Sequence, residues 1–140
     1  MRPKATVGKP PRMALLVHSD QAVISNLQKA LSENGFMTVV AGEVPQALSA
    51  MTEHYFEIAI VSSQLVKGGD GWPLAGVLHL VFPKAFVCVV SPTEPDVLAL
   101  QAAINYGVRE IYQQSSPAFE MINSILCQLD HDRKPSRRAS

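Results

Sequence analysis

An α/β fold, with helices covering both faces of a parallel sheet, is what this sequence predicts. Three observations carry that prediction. Apolar runs of strand length alternate with segments whose apolar residues recur every three or four positions. The strand-like runs are continuously apolar, as strands buried on both faces are. The length of 140 residues suits one domain, and 47% hydrophobic residues are enough for a real core.

The elements follow in order. Met13 to Val17 is a first strand, and Ser19 or Asp20 can cap the helix after it. In that helix Val23, Ile24, Leu27, Ala30 and Leu31 share one face, and Asn34-Gly35 stops it. Met37 to Val40 is a second strand. Pro45 suits the first turn of a second helix with Ala47, Leu48 and Met51 inside. Ile58 to Val61 is the third strand, and Lys67-Gly68-Gly69-Asp70-Gly71 breaks the chain after it. A third helix spans Trp72 to Phe82, with Leu74, Val77, Leu78 and Val81 inward and Trp72 on roughly the opposite side. Ala85 to Val90 is the fourth strand. A fourth helix runs from near Pro95 to near Tyr106-Gly107, and Glu110 to Tyr112 is a short fifth strand. Ser116-Pro117 opens a last helix whose apolar stripe is Phe119, Ile122, Ile125, Leu126 and Leu129.

Net charge is zero but unevenly spread. Residues 1–12 carry four basic residues and no acid. Residues 131–140 carry four basic residues against Asp132. The body, 13–130, has four basic and eleven acidic residues, a net −7. Both tails read as disordered and flank a single domain at 13–130. They are solvated, or they touch nucleic acid, anionic lipid or the acidic body. No apolar run approaches the roughly 18 residues of a membrane span, and no signal-type stretch follows the N-terminus, so a cytoplasmic location is expected. Cys88 and Cys127 sit in apolar segments and read as small buried hydrophobes. His54 and His79 read as surface or helix-end residues. No His, Cys or acid set has metal-site spacing, so no metal and no cofactor are expected.

In such folds ligand chemistry sits at the carboxyl ends of the strands. The residues there are His18, Ser19 and Asp20, then Ser62 and Ser63, then Ser91, then Gln113 and Gln114. With Phe56 to Val61, Asp70-Gly71, Val89-Val90-Ser91 and Tyr106-Gly107-Val108 in this order, residues 13–129 resemble the receiver domain of two-component response regulators. The resemblance implies a flavodoxin-like three-layer α/β/α sandwich with a five-stranded parallel sheet in order 2-1-3-4-5.

It also implies a chemistry whose residues have changed. The family holds Mg²⁺ with two acids after the first strand, takes the phosphoryl group on an aspartate after the third, and contacts it with a lysine after the fifth. The acid pair aligns with His18-Ser19, with Asp20 one residue on. The acceptor aligns with Ser62 or Ser63, and the lysine with Gln114. Only the Ser/Thr position survives, as Ser91. A serine without an adjacent base is a poor nucleophile, and loss of metal and lysine removes most of the electrostatic stabilisation of phosphoryl transfer. The expectation is a degenerate, stand-alone pseudo-receiver, not an enzyme, that signals or scaffolds by contact with a protein partner.

No formal charge lies between Trp72 and Phe82 or between Val97 and Tyr106. A helix apolar nearly all round is usually covered. The candidate interaction surface is Trp72, Leu98, Gln101, Asn105, Tyr106 and Tyr112. The resemblance points to a homodimer through the fourth helix, fifth strand and last helix. One rival is a small flavodoxin-like protein binding a nucleotide, flavin or other phosphate ligand, with Trp72 and the Gly-rich loop as its means. Another is nucleic-acid association through the tails; a third is an unusual phosphorylation that still occurs.

Overall fold

The computed structural model describes residues 12–65 and 69–133. The basic tails therefore lie outside the described residues, except that Arg12 opens the first strand and 131–133 close the last helix. Lys67 and Gly68 of the breaker loop also lie outside them.

The elements run β1 (Arg12–Val17), α1 (Gln21–Glu33), β2 (Phe36–Ala41), α2 (Val44–Met51), β3 (Ile58–Ser62), β4 (Gln64–Leu65), β5 (Gly69–Asp70), α3 (Trp72–Val81), β6 (Phe86–Ser91), α4 (Val97–Tyr106), β7 (Glu110–Gln113) and α5 (Ala118–Arg133). Five strands form one parallel sheet in the order β2-β1-β3-β6-β7. With β6 and β7 as the fourth and fifth strands of the sequence reading, this is the expected 2-1-3-4-5 order. The small antiparallel pair β4–β5, with Gln64 opposite Asp70, is an addition within the breaker loop.

Side chains alternate across the strands, so the sheet feeds two cores. On one face Leu16, Ile60, Phe86 and Cys88 meet Leu27 and Leu31 of α1 and Ile122 and Ile125 of α5. On the other face Leu15, Val17, Val61 and Val89 meet Ala47 of α2 and Leu74, Ala75 and Leu78 of α3. Each large aliphatic side chain withdrawn from water contributes about 1.5–3 kcal/mol.

The helix faces depart from expectation in specific places. Leu48, Val77, Val81 and Phe119 are exposed, and Ala50, Ala75, Gly76 and Met121 are buried instead. The reason is close approach. Small residues let α2 and α3 lie near the sheet, and the larger neighbours are turned outward. Cys88 is buried as expected, but Cys127 is exposed; both are free thiols.

The fourth helix differs from the rest: none of its residues is buried. Its inward side offers only Ala99, Ala102 and Ala103, all half-buried. It is held at its ends. The Asp96 carboxylate accepts from the Ala99 N–H at 2.9 Å. At the other end Gly107 takes φ 72°, a left-handed cap that glycine adopts freely. Any Cβ on Gly107 would run into the His79 ring, and the Tyr106 ring lies directly on Gly76. These contacts dock the end of α4 onto α3.

Candidate functional site

The carboxyl edge of the sheet gathers the residues named from the sequence. His18 follows β1 and is 4% exposed. Its Nδ1 accepts from the Asp20 backbone N–H at 3.1 Å. The ring proton must then sit on Nε2, which donates to the Gln114 Oε1 at 3.2 Å. In the sheet β3 and β6 stand between β1 and β7. At normal strand spacing that gap is about 14 Å. The His18–Gln114 bond therefore spans the strand ends with two neutral side chains.

Burial lowers the His18 pKa from its ordinary value, more than the Gln114 bond and the Asp20 charge raise it. Protonation would set an Nδ1–H donor against the Asp20 N–H donor and break the link at the start of α1. The unfolded chain thus binds a proton more readily than the folded one. Stability from this group is full above the ordinary histidine pKa of about 6.5 and falls as pH drops from there through the lowered folded value. His18→Gln is expected to flatten that part of the stability-versus-pH curve, measured by urea unfolding at a series of pH values; an unchanged slope would exclude His18 as its source.

Ser62 is the last residue of β3 and is buried. Its hydroxyl donates to the Gln64 carbonyl at 2.7 Å and accepts from the Gln64 N–H at 3.2 Å. Ser91 ends β6 in the same way, donating to the Thr93 carbonyl at 2.7 Å and accepting from the Thr93 N–H at 3.3 Å. Both hydroxyls are spent on local turns. Ser63 is half-buried, and its backbone N–H bonds to the Val90 carbonyl at 2.9 Å. Between the two serines, Ser62 is the one that β3 itself carries to the edge.

Two acids of this edge are engaged at helix starts. Asp20 accepts from the Ala22 and Val23 N–H groups, and Asp70 from the Trp72 N–H. Mg²⁺ is held through oxygen ligands in near-octahedral geometry, usually with one or two carboxylates. Here the only side chain of that kind among His18, Ser19, Asp20, Ser62, Ser63, Ser91 and Gln114 is Asp20, and it caps α1. The residues present do not fit that ion. Among the described residues no three His, Cys, Asp or Glu side chains gather where a metal could be held.

Three features were not read from the sequence. Gly71 packs the start of α3 so tightly on β3 that a Cβ there would overlap the Ser62 carbonyl oxygen. An open cleft of about 490 Å³ lies beside His18, between the loops after β1 and β2, lined by Ser19, Gln21, Gly42, Glu43 and Gln46. A narrower groove of about 230 Å³ runs between α3 and α4. The named surface residues divide. Leu98, Gln101, Asn105 and Tyr106 are exposed on α4. Trp72 is half-buried against the α2/α3 core, and Tyr112 is half-buried against the α1/α5 core with its hydroxyl on Ser124 at 2.9 Å. Neither is an open surface residue, since each ring packs on a core.

Solved structures share this architecture. A response regulator receiver domain protein from Methanospirillum hungatei JF-1 matches with a TM-score of 0.78 at 17% identity, over 87% of this chain and 96% of its own. The fold is that of a receiver domain. The signal receiver domain of an HD domain-containing protein from Pseudomonas fluorescens Pf-5 matches at 0.76 and 22% identity, over 91% and 93% of the two chains. A response regulator from Burkholderia pseudomallei, solved with a phosphorylated aspartic acid, matches at 0.75 and 16% identity, over 87% and 71%. No family model matches the chain, and no curated protein matches it. In this chain β3 ends on Ser62, a residue without a carboxylate. No helix among the described residues is long and apolar enough to cross a membrane.

Proposed function

We propose that this receiver-fold domain signals by protein contact, without accepting a phosphoryl group. The observation that carries this reading is the His18–Gln114 bond. Where the family resemblance expects an acid and a lysine, two neutral side chains satisfy each other across the strand ends. Among the strand-end residues His18, Ser19, Asp20, Ser62, Ser63, Ser91 and Gln114, a phosphoryl group would meet one carboxylate, already capping α1, no lysine or arginine, and no activated nucleophile. Ser62 is turned into its own backbone and has no hydrogen bond to His18, whose two ring nitrogens are both engaged.

Contact with a partner then rests on surface already formed. The exposed apolar residues of α4 supply it, beside a β7–α5 side that carries Glu110 and Glu120. Ligand binding by the alternative route finds little support. Trp72 packs on the core instead of standing free to stack on a ring, and Gly71 is pressed against β3. The test is exposure of the whole chain to acetyl phosphate with Mg²⁺. Trp72 fluorescence is expected to stay unchanged and no saturable Mg²⁺ response to appear; a saturable response that acetyl phosphate then alters would overturn the reading.

A further inference from the structure

We propose that the cleft beside His18 binds a small uncharged heterocycle whose edge carries an amino group next to a ring acceptor, as an amino-nucleobase does. The site lies apart from Trp72 and the Gly-rich loop. It does not rest on the phosphorylation-independent reading.

The cleft stands where sheets of this kind take ligands. It opens at the carboxyl ends of β1 and β2, between the starts of α1 and α2. Its volume of about 490 Å³ falls within the roughly 300–1,000 Å³ usual for small-molecule sites. Ile24 and Val40 give it two branched aliphatic side chains, against which a flat ring can lie. The remaining side chains are polar, so orientation can be set by hydrogen bonds.

Charge narrows the class. Among the described residues lining the cleft, Glu43 is the one with a formal charge, and none is lysine or arginine. Asp20 stands beside it as the cap of α1. An anionic ligand would meet these two carboxylates with no cation to offset them. A cationic ligand would meet the positive ends of α1 and α2. His18 adds no charge, since Nδ1 accepts from the Asp20 N–H and Nε2 carries the ring proton. The balance favours an uncharged molecule.

The hydrogen-bonding groups narrow it further. Gln46 Oε1 accepts from the Gly42 N–H at 2.7 Å, and the amide nitrogen, with its two N–H donors, takes no part in that bond. Glu43 lies three residues earlier at the same helix start and carries an acceptor-only carboxylate. A donor and an acceptor thus come from one turn of chain on one wall. They match a ligand edge on which a ring acceptor neighbours an amino group. Glutamine with adenine, and glutamate with the cytosine amino group, are established pairings of this chemistry. Uracil has a carbonyl in place of the amino group and would set an oxygen against Glu43.

Calorimetric titration of the whole chain with nucleosides tests this, with backbone amide NMR shifts locating the site. Adenosine or cytidine is expected to bind saturably by millimolar concentration, with shifts centred on Ser19, Gly42 and Gln46. Uridine should bind about tenfold more weakly or worse, the cost of leaving a charged acceptor unpaired. Adenosine monophosphate, which separates a nucleotide source from a free nucleoside, should also bind more weakly than adenosine. Gln21→Trp, at an exposed rim position, should fill the cleft and abolish binding, with far-UV circular dichroism confirming that it folds. No saturable binding of either nucleoside overturns the proposal and leaves the phosphorylation-independent reading intact. Equal binding of uridine overturns the amino-group contact, and equal binding of the monophosphate overturns the choice of an uncharged ligand. Binding that survives Gln21→Trp, or shifts that fall elsewhere, overturns the site.

Discussion

Gly71→Ala is expected to destabilise the domain by about 3 kcal/mol, the upper part of the range for forcing atoms into a packed interior. The new methyl group would overlap the Ser62 carbonyl oxygen and press on the Val61 side chain. That oxygen belongs to the backbone of a central strand, so no rotamer change relieves the contact. The backbone around Gly71 is also tied down. Its N–H bonds to the Ser63 carbonyl and its carbonyl accepts from the Ala75 N–H, both at 3.1 Å. The start of α3 must move as a unit, and Trp72 moves with it. Urea unfolding should show a lower midpoint with the near-UV signal of Trp72 altered. Gly35→Ala is the control. Gly35 has φ 85° with nothing near its missing Cβ, so only the backbone penalty of about 1–2 kcal/mol applies. Equal losses at the two positions would mean that the contact with β3 contributes nothing.

Phe86→Ala should cost more, about 3–5 kcal/mol, while Phe119→Ala should stay within about 0.5 kcal/mol. Phe86 begins β6, is fully buried in the α1/α5 core, and lies under the Arg109 guanidinium at 5.1 Å from the ring centroid. Truncation leaves a ring-sized void in the α1/α5 core and removes that cation contact. Phe119 sits on α5, 60% exposed, and no core depends on it. Since a domain's whole stability is about 5–15 kcal/mol, the first variant should be close to unfolding. Thermal or urea unfolding of the pair measures the contrast. A large loss at Phe119 would mean that its face of α5 is covered.

That contrast shows how far the residues could be read in advance. The central strands β1, β3 and β6 were legible because each carries a continuous apolar run, which only a two-sided sheet accommodates; β2 and β7 form the sheet edges and were read from shorter runs. The strand-end residues were legible for the same reason: once Val17, Val61 and Val90 are inside, His18, Ser62 and Ser91 must emerge together. The β4–β5 pair was not, since strands of two residues have no periodicity to read. Helix faces were misjudged where small residues do the packing. Gly76 under the Tyr106 ring buries a side of α3 that counting large side chains assigns to solvent. Trp72 and Tyr112 were read as surface residues; each ring is half-buried on a core, a packing that a helical wheel or a strand's alternation does not encode. The His18–Gln114 bond joins residues 96 positions apart, across two intervening strands, and no local pattern encodes it.

In the proposed reading the same bond sets how the domain works. It spends the buried imidazole and the Gln114 amide on each other, and the Ser62 and Ser91 hydroxyls are consumed by turns. What remains at that edge is the open cleft beside His18 and the carboxylates that start the helices. The unusual feature has moved to α4, a helix with capped ends, small inward residues and an apolar exterior. In this account the strand ends hold the fold in one state and the exposed apolar residues of α4 meet the partner.

Intact-mass spectrometry after incubation with acetyl phosphate and Mg²⁺ tests this most directly, run on the wild type and on Ser62→Asp. Neither chain is expected to gain the mass of a phosphoryl group, because supplying the carboxylate alone restores neither the metal ligands nor the cation. A stable phosphoryl adduct on the wild-type chain at the end of β3 would contradict the account.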